Sequence, residues 1–311
     1  MTTAIVKKYT SDLASAWNEL IASSKNGTFL FNRNFMEYHS HKFVDHSLMF
    51  YHDDKLVAVL PANSVGNILY SHQGLSYGGI IYDKQTKTKD ILLSFNALKD
   101  YCAKNDIARI IYKRVPYIYH NYPSEEDLYG LFMINAKLVR RDIGYVIDIR
   151  NPIKFSELRR RMLNKGIKAN LIIREIEEYD EYRNLLEFAI AKHDAKPVHS
   201  SAEMSLLAKR FPENIKLFCC YKDEIMLGGV WLFVTNNAVH TQYIANSEEG
   251  QKCGSLETLV THIMQKYNDL NYFSFGISTE NNGRYLNEGL TWQKESFGAR
   301  GITHDFYELT F

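Results

Sequence analysis

Between residues 228 and 277 two strand patterns, a glycine-bearing polar stretch, a helical stripe and a third strand follow in fixed order, which restricts the fold more than any other part of the chain. Residues 228–234 form an apolar run of buried-strand type, and Asn236-Asn237 supplies a turn. Residues 239–245 alternate as a second strand. The polar, glycine-containing stretch 246–255 is expected to be a loop. In 256–267, Leu256, Leu259, Val260, Ile263 and Tyr267 fall at helical spacing. A glycine turn that opens a helix leaves backbone N–H groups free, a natural seat for a phosphate or other anion. Residues 272–277 read as a further strand, Asn282-Gly283 as a turn, 284–294 as a helix and 302–311 as a closing strand. The result is an α/β chain.

At 311 residues the chain is long enough for two domains of about 150 residues each. Its 37 Lys and Arg against 36 Asp and Glu give a net charge of +1, so no global attraction to DNA or to an anionic membrane is expected. No run approaches the roughly 18 apolar residues of a membrane span, and the first residues lack the apolar core of an export signal. The four cysteines, Cys102, Cys219, Cys220 and Cys253, are not spaced as zinc ligands. They suit a reducing, cytoplasmic compartment, and no metal is expected.

The first half follows the same order as the second. It reads strand (5–9), helix (13–21), short helix (35–41), hairpin (47–51 and 56–60), strand (67–71), glycine loop (74–79), helix (90–105), strand (108–113), helix (124–134) and closing strand (138–149). The second half continues with a basic helix over 155–168, a strand over 171–176, helices over 182–191 and 203–210 with a polar break at 192–200, and a strand over 215–221. This implies an internal duplication of architecture with its joint at Asn151-Pro152, giving domains 1–151 and 152–311. On the basic helix Arg161, Lys165 and Lys168 recur at i, i+4 and i+7. They fit either a solvated face or a phosphate clamp beside an interdomain cleft.

Gln251-Lys252-Cys253-Gly254-Ser255-Leu256 resembles the Q/R-x-x-G-x-G/A donor loop of the GNAT N-acyltransferase superfamily, with Leu256 at the last anchor. Trp292-Gln293-Lys294-Glu295-Ser296-Phe297-Gly298 resembles the F-K-x-x-F-G signature of the FemAB/FemX group, with Trp292 and Gln293 displacing its usual aromatic–lysine contact. The opening Trp17…Ser24-Lys25-Asn26-Gly27-Thr28-Phe29 is similar to that group as well. The resemblance spans essentially the whole chain. It implies two tandem GNAT-like domains, each a mixed twisted sheet flanked by helices, the second carrying the donor loop. It further implies N-acyl transfer from acetyl-CoA or another acyl-CoA, or from aminoacyl-tRNA, to an amine on a nucleotide sugar or cell-envelope glycan precursor.

Within that resemblance Gln242, Gln251, Lys252, Gly254 and Ser255 are the expected donor-binding residues. Lys294 is expected to stabilise charge on the donor carbonyl or a phosphate. Glu280, at the end of the 272–277 strand, is the expected base. Tyr243 flanks the acyl group, although strand alternation lets only one of Gln242 and Tyr243 face a pocket. His199, Arg161, Lys165 and Arg284 are expected at the acceptor. Gly74-Leu75-Ser76-Tyr77-Gly78 matches G-x-S-x-G, but a strand pattern follows it instead of a helix, against a serine hydrolase. His39, His41 and His46 lack a completing ligand for a metal. Cys253 at the glycine turn reads as packing. A binding protein that keeps this fold without donor chemistry is the expectation of a different class.

Overall fold

The computed structural model describes residues 4–191 and 196–311. The chain divides into two compact units. The first takes residues up to 143, with 281–284 and 303–311; the second takes 144–280 and 285–302. Both are mixed α/β units with helices on their sheets. The contact division thus falls at 143/144, within the strand Lys137–Asp148, and assigns most of the closing strand Arg300–Thr310 to the first unit. The expected polar break at 192–200 lies partly outside the described residues.

In the first unit the strands Leu48–His52 and Lys55–Leu60 form the expected hairpin. Its turn residues Asp53 and Asp54 both take positive φ, 45° and 65°, as a two-residue hairpin requires. Ala4–Lys8 flanks it antiparallel. The helix Thr88–Lys104 seals Ile91, Phe95, Leu98 and Cys102 into one apolar core with Leu48, Phe50, Ile110 and Tyr112. A second group of strands pairs Ile68–Tyr70 parallel with Arg109–Lys113, and Arg109–Lys113 antiparallel with the end of Arg300–Thr310. Ser76 is exposed in a loop, and the next helix begins only at Thr88.

In the main sheet of the second unit the described strands follow in the order Ile172–Glu175, Ile215–Lys222, Ile225–Val234, Ala238–Asn246, Tyr272–Ile277 and residues 144–148. All neighbours are antiparallel except Ala238–Asn246 and Tyr272–Ile277, which run parallel. Parallel neighbours need a crossover, and residues 248–266 supply it as helices.

Here the structure departs from the expected loop at 246–255. Glu248–Cys253 is a short helix, because the Ser247 hydroxyl accepts the Gly250 N–H at 2.9 Å and Glu248 and Glu249 occupy its positive end. Gly254 (φ 87°) then breaks the chain direction before the helix Ser255–Lys266. The helix Glu157–Lys168 crosses directly over that break. A Cβ on Gly254 would lie 2.1 Å from Met162 O, and one on Gly166 2.3 Å from Thr258 Oγ1. Both positions therefore require glycine. The expected helix at 284–294 is Glu288–Ser296, capped by Asn287, whose side chain accepts from Leu290 N–H at 3.0 Å. Tyr285–Leu286 ahead of it pairs with Thr279–Glu280.

The glycine crossing generates a stability prediction. Gly254→Ala adds left-handed strain of about 1–3 kcal/mol to a backbone clash. Its urea midpoint falls well below that of the wild type, whereas Gly289→Ala, where the added Cβ meets nothing nearer than 3.5 Å, leaves it close to wild type.

Candidate functional site

The strands Ala238–Asn246 and Tyr272–Ile277 pair only over Ala238↔Tyr272, Val239↔Phe273 and His240↔Ser274. Beyond that point they part. Gly276 (φ 71°) turns the second strand aside, and Thr241 Oγ1 closes the fork by donating to Ser274 O at 3.2 Å. Thr241–Asn246 keeps its other edge on Ile225–Val234, and no strand among the described residues pairs with the edge that faces the fork. The register there slips between Trp231↔Tyr243 and Leu232↔Thr241, leaving Gln242 as the extra residue of a β-bulge. A bulge breaks side-chain alternation. Thr241, Gln242, Tyr243 and Ile244 consequently all line one cavity, and the expectation that only one of Gln242 and Tyr243 faces a pocket is corrected.

That cavity measures about 630 Å³ and lies wholly within the second unit. Its apolar wall comes from Leu186, Phe188, Ile190, Leu256, Phe275 and Leu290, and its polar groups include Arg159, Glu257, Gln251 and Lys294. Lys294 is 7 % exposed. Its ammonium donates to Ile277 O at 2.6 Å and to Gly276 O at 3.0 Å, the carbonyls freed where the strand turns away. An ammonium has three N–H donors, so one remains for a ligand. Burial pulls its pKa down to about 8, because desolvation penalises the charged form. Gln242 Oε1 is buried with no hydrogen-bond partner among the described residues, an acceptor that a ligand N–H would satisfy.

Arg159 enters from the crossing helix. Its guanidinium pairs with Glu257, donates through Nε to Ser296 Oγ at 2.8 Å, and lies 4.3 Å from the Phe297 ring centre. Both partners of this ion pair are largely buried, so each holds the other's charge.

Of the expected residues, Lys294, Gln242, Tyr243 and Gln251 line the cavity. His199 lies behind it, its Nδ1 2.8 Å from Tyr243 Oη. Glu280 is exposed and accepts from Asn287 Nδ2 at 2.8 Å, outside the lining. Lys252, Arg161, Lys165 and Arg284 are exposed and outside it as well, and Arg284 belongs to the other unit. Gly254 and Ser255 are buried and outside the lining, with Gly254 packed against Met162 O of the helix Glu157–Lys168, while Gln251, Leu256 and Glu257 beside them border the cavity. Cys253 is buried and its thiol pKa is raised by burial, in keeping with packing. Arg159 and Glu257 escaped the sequence analysis. Arg159 is two residues from Arg161 on the same basic helix, outside the i, i+4, i+7 set. Glu257 sits in the apolar stripe after the glycine turn. No group of three or more metal-ligating side chains occurs among the described residues, and none of their helices is long and apolar enough to cross a membrane.

Two measurements check this geometry. Lys294, followed by NMR of ¹³C-dimethylated protein, titrates near pH 8 and not near its ordinary value of 10.5. Because the folded pKa is the lower one, the unfolded chain holds an extra proton between these values, and this lysine makes stability rise with pH through that window. Arg159→Ala strands the Glu257 carboxylate and lowers stability by about 3–5 kcal/mol in urea unfolding. Adding Glu257→Gln recovers part of the loss.

No family model matches the sequence, and no curated protein matches it. The similarity to solved structures is extensive. FemX superposes with a TM-score of 0.68 at 10 % identity, over 98 % of this chain and 97 % of FemX. L-PGS from Bacillus licheniformis gives 0.59 at 10 % identity, over 98 % and 92 %. A tandem GNAT protein from the clavulanic acid biosynthesis pathway gives 0.51 at 9 %, over 100 % and 98 %. The chain therefore has the FemX-like tandem GNAT fold, with its cavity at the fork of the second unit.

Proposed function

We propose that the chain is an acyltransferase that forms an amide at the strand fork of its second unit. The observation that carries this reading is the fork itself. A strand edge with no strand partner among the described residues, four consecutive residues of that strand and a buried ammonium border one cavity. A strand edge hydrogen-bonds an extended acyl or amide ligand through its backbone. The free N–H of Lys294 then meets the oxygen of the donor carbonyl, where negative charge develops as an amine attacks. Gln242 Oε1 takes an N–H of that amine. Phe275, Leu290 and Ile244 exclude water, which would otherwise compete as acceptor.

The glycine turn bears on the donor. A nucleotide-linked thioester needs a seat for its pyrophosphate, and the helix Glu157–Lys168 packs its backbone against Gly254 at the turn expected to supply one. This favours an aminoacyl ester of tRNA over acetyl-CoA. For the acceptor we propose an amine on a nucleotide sugar or cell-envelope glycan precursor. That choice rests on the likeness to FemX and is the finest point of the reading.

The test supplies aminoacyl-tRNA or acetyl-CoA with a panel of UDP-amino sugars and follows amide formation by mass spectrometry. The expected result is amide from the aminoacyl-tRNA, reduced about 10²–10³-fold in Lys294→Met when that variant is assayed well below its own, lowered thermal midpoint. If neither donor is consumed with any acceptor, the chain is a binding protein on an acyltransferase fold.

A further inference from the structure

The Tyr243 hydroxyl has an unusual set of neighbours. The Val198 N–H donates to Tyr243 Oη at 3.2 Å, and the His199 ring meets the same oxygen. A phenol carries a single proton. Among these partners only His199 Nδ1, at 2.8 Å, can accept it. When the phenol donates to it, Nδ1 bears the lone pair and Nε2 the proton, and one lone pair of Oη stays open to the cavity.

The pair is held rigidly. Tyr243 stacks on Trp231 with ring centres 5.7 Å apart and planes 12° from parallel, and His199 packs edge-on to the same indole at 5.1 Å. Tyr182 Oη donates to Tyr243 O at 3.1 Å, and Arg183 Nε to His199 O at 2.9 Å. Tyr243 lines the cavity, whereas His199 does not and is 7 % exposed. Tyr243 thus stands between the cavity and the imidazole.

We propose that Tyr243 and His199 form a proton relay, in which His199 takes the acceptor amine's proton through the Tyr243 hydroxyl. The inference rests on the acyltransferase reading. The amine nitrogen bonds to the donor's acyl carbon. Its N–H proton passes to Tyr243 Oη as the Tyr243 proton passes to His199 Nδ1, leaving an imidazolium. The bond from the acyl carbon to its leaving oxygen then breaks, and the proton returns by the same path to that oxygen. The products are the amide and a free hydroxyl, and the relay is restored. Tyr243 touches the reactants; His199 acts through it. Arg183 is neutralised by Glu187 at 3.0 Å on the helix Asp180–Ala191, and Glu203 is engaged in capping the helix Ser201–Arg210 through Ser200. Neither pair supplies the hydroxyl with another acceptor, so the assignment of Glu280 as base gives way to His199.

The test has two arms. Long-range ¹H–¹⁵N spectra of the full-length protein, with His199 assigned by its loss in His199→Gln, read the tautomer without any substrate. The expected result is an unprotonated Nδ1 whose signal shifts in Tyr243→Phe, while His240, bonded to Ser274, keeps its signal. An Nδ1–H tautomer in the wild type overturns the relay. The second arm is the pH–rate profile of amide formation from aminoacyl-tRNA and UDP-amino sugar. His199→Gln is expected to lower the rate about 10²-fold or more and to flatten the acid limb. Transfer with an unchanged acid limb overturns the relay and leaves the acyltransferase reading intact. No transfer by the wild type overturns both.

Discussion

The second unit depends on how one lysine resolves a problem of unpaired backbone. Two parallel strands that separate leave carbonyls without partners, and a buried carbonyl without a partner is costly. At the fork, Lys294 supplies hydrogen bonds to Gly276 O and Ile277 O. The strands can then stay apart, and the space between them becomes a cavity. The same contact buries a positive charge that has a donor to spare. Structure and chemistry meet in this side chain, because the group that holds the fork open is the group that a developing oxyanion would find. The first unit uses a similar device. Lys113 donates to His72 O at 3.3 Å and to Leu75 O, and burial lowers its pKa to about 8 as well.

A second constraint is the glycine-to-glycine crossing of the helix Glu157–Lys168 over Gly254. It brings Arg159 to the cavity and pairs it with Glu257. The crossing therefore gives the cavity one charged wall.

Much of the fold was legible in the sequence because its strands and helices carry clean periodicities. The hairpin at Asp53-Asp54, the strands on either side of Asn236-Asn237 and the helical stripe from Leu256 all stand where the pattern puts them. The loop expected at 246–255 is helical because a serine cap and two glutamates outweigh glycine content over six residues. Some of the cavity's lining was also legible. Lys294, Gln242, Tyr243 and Gln251 converge, since a strand and the helix after it are local features. The rest was not, for reasons of geometry. A β-bulge changes which side chains share a face, and no residue in Thr241-Gln242-Tyr243 announces it. Helix crossings are equally silent, so Arg161 and Lys165 stood out by spacing while Arg159 does the contacting. Glu280 lies at a strand end, but its side chain turns to Asn287.

The central claim is that a donor's acyl group lies along the open edge of Ala238–Asn246. Backbone hydrogen exchange tests it most directly, measured with and without a non-hydrolysable amide analogue of the aminoacyl-adenosine end of tRNA. The account predicts slowed exchange of the amides of residues 241–246 that face the fork, with the edge bonded to Ile225–Val234 unchanged. Saturable binding of the analogue without protection of that edge would contradict it.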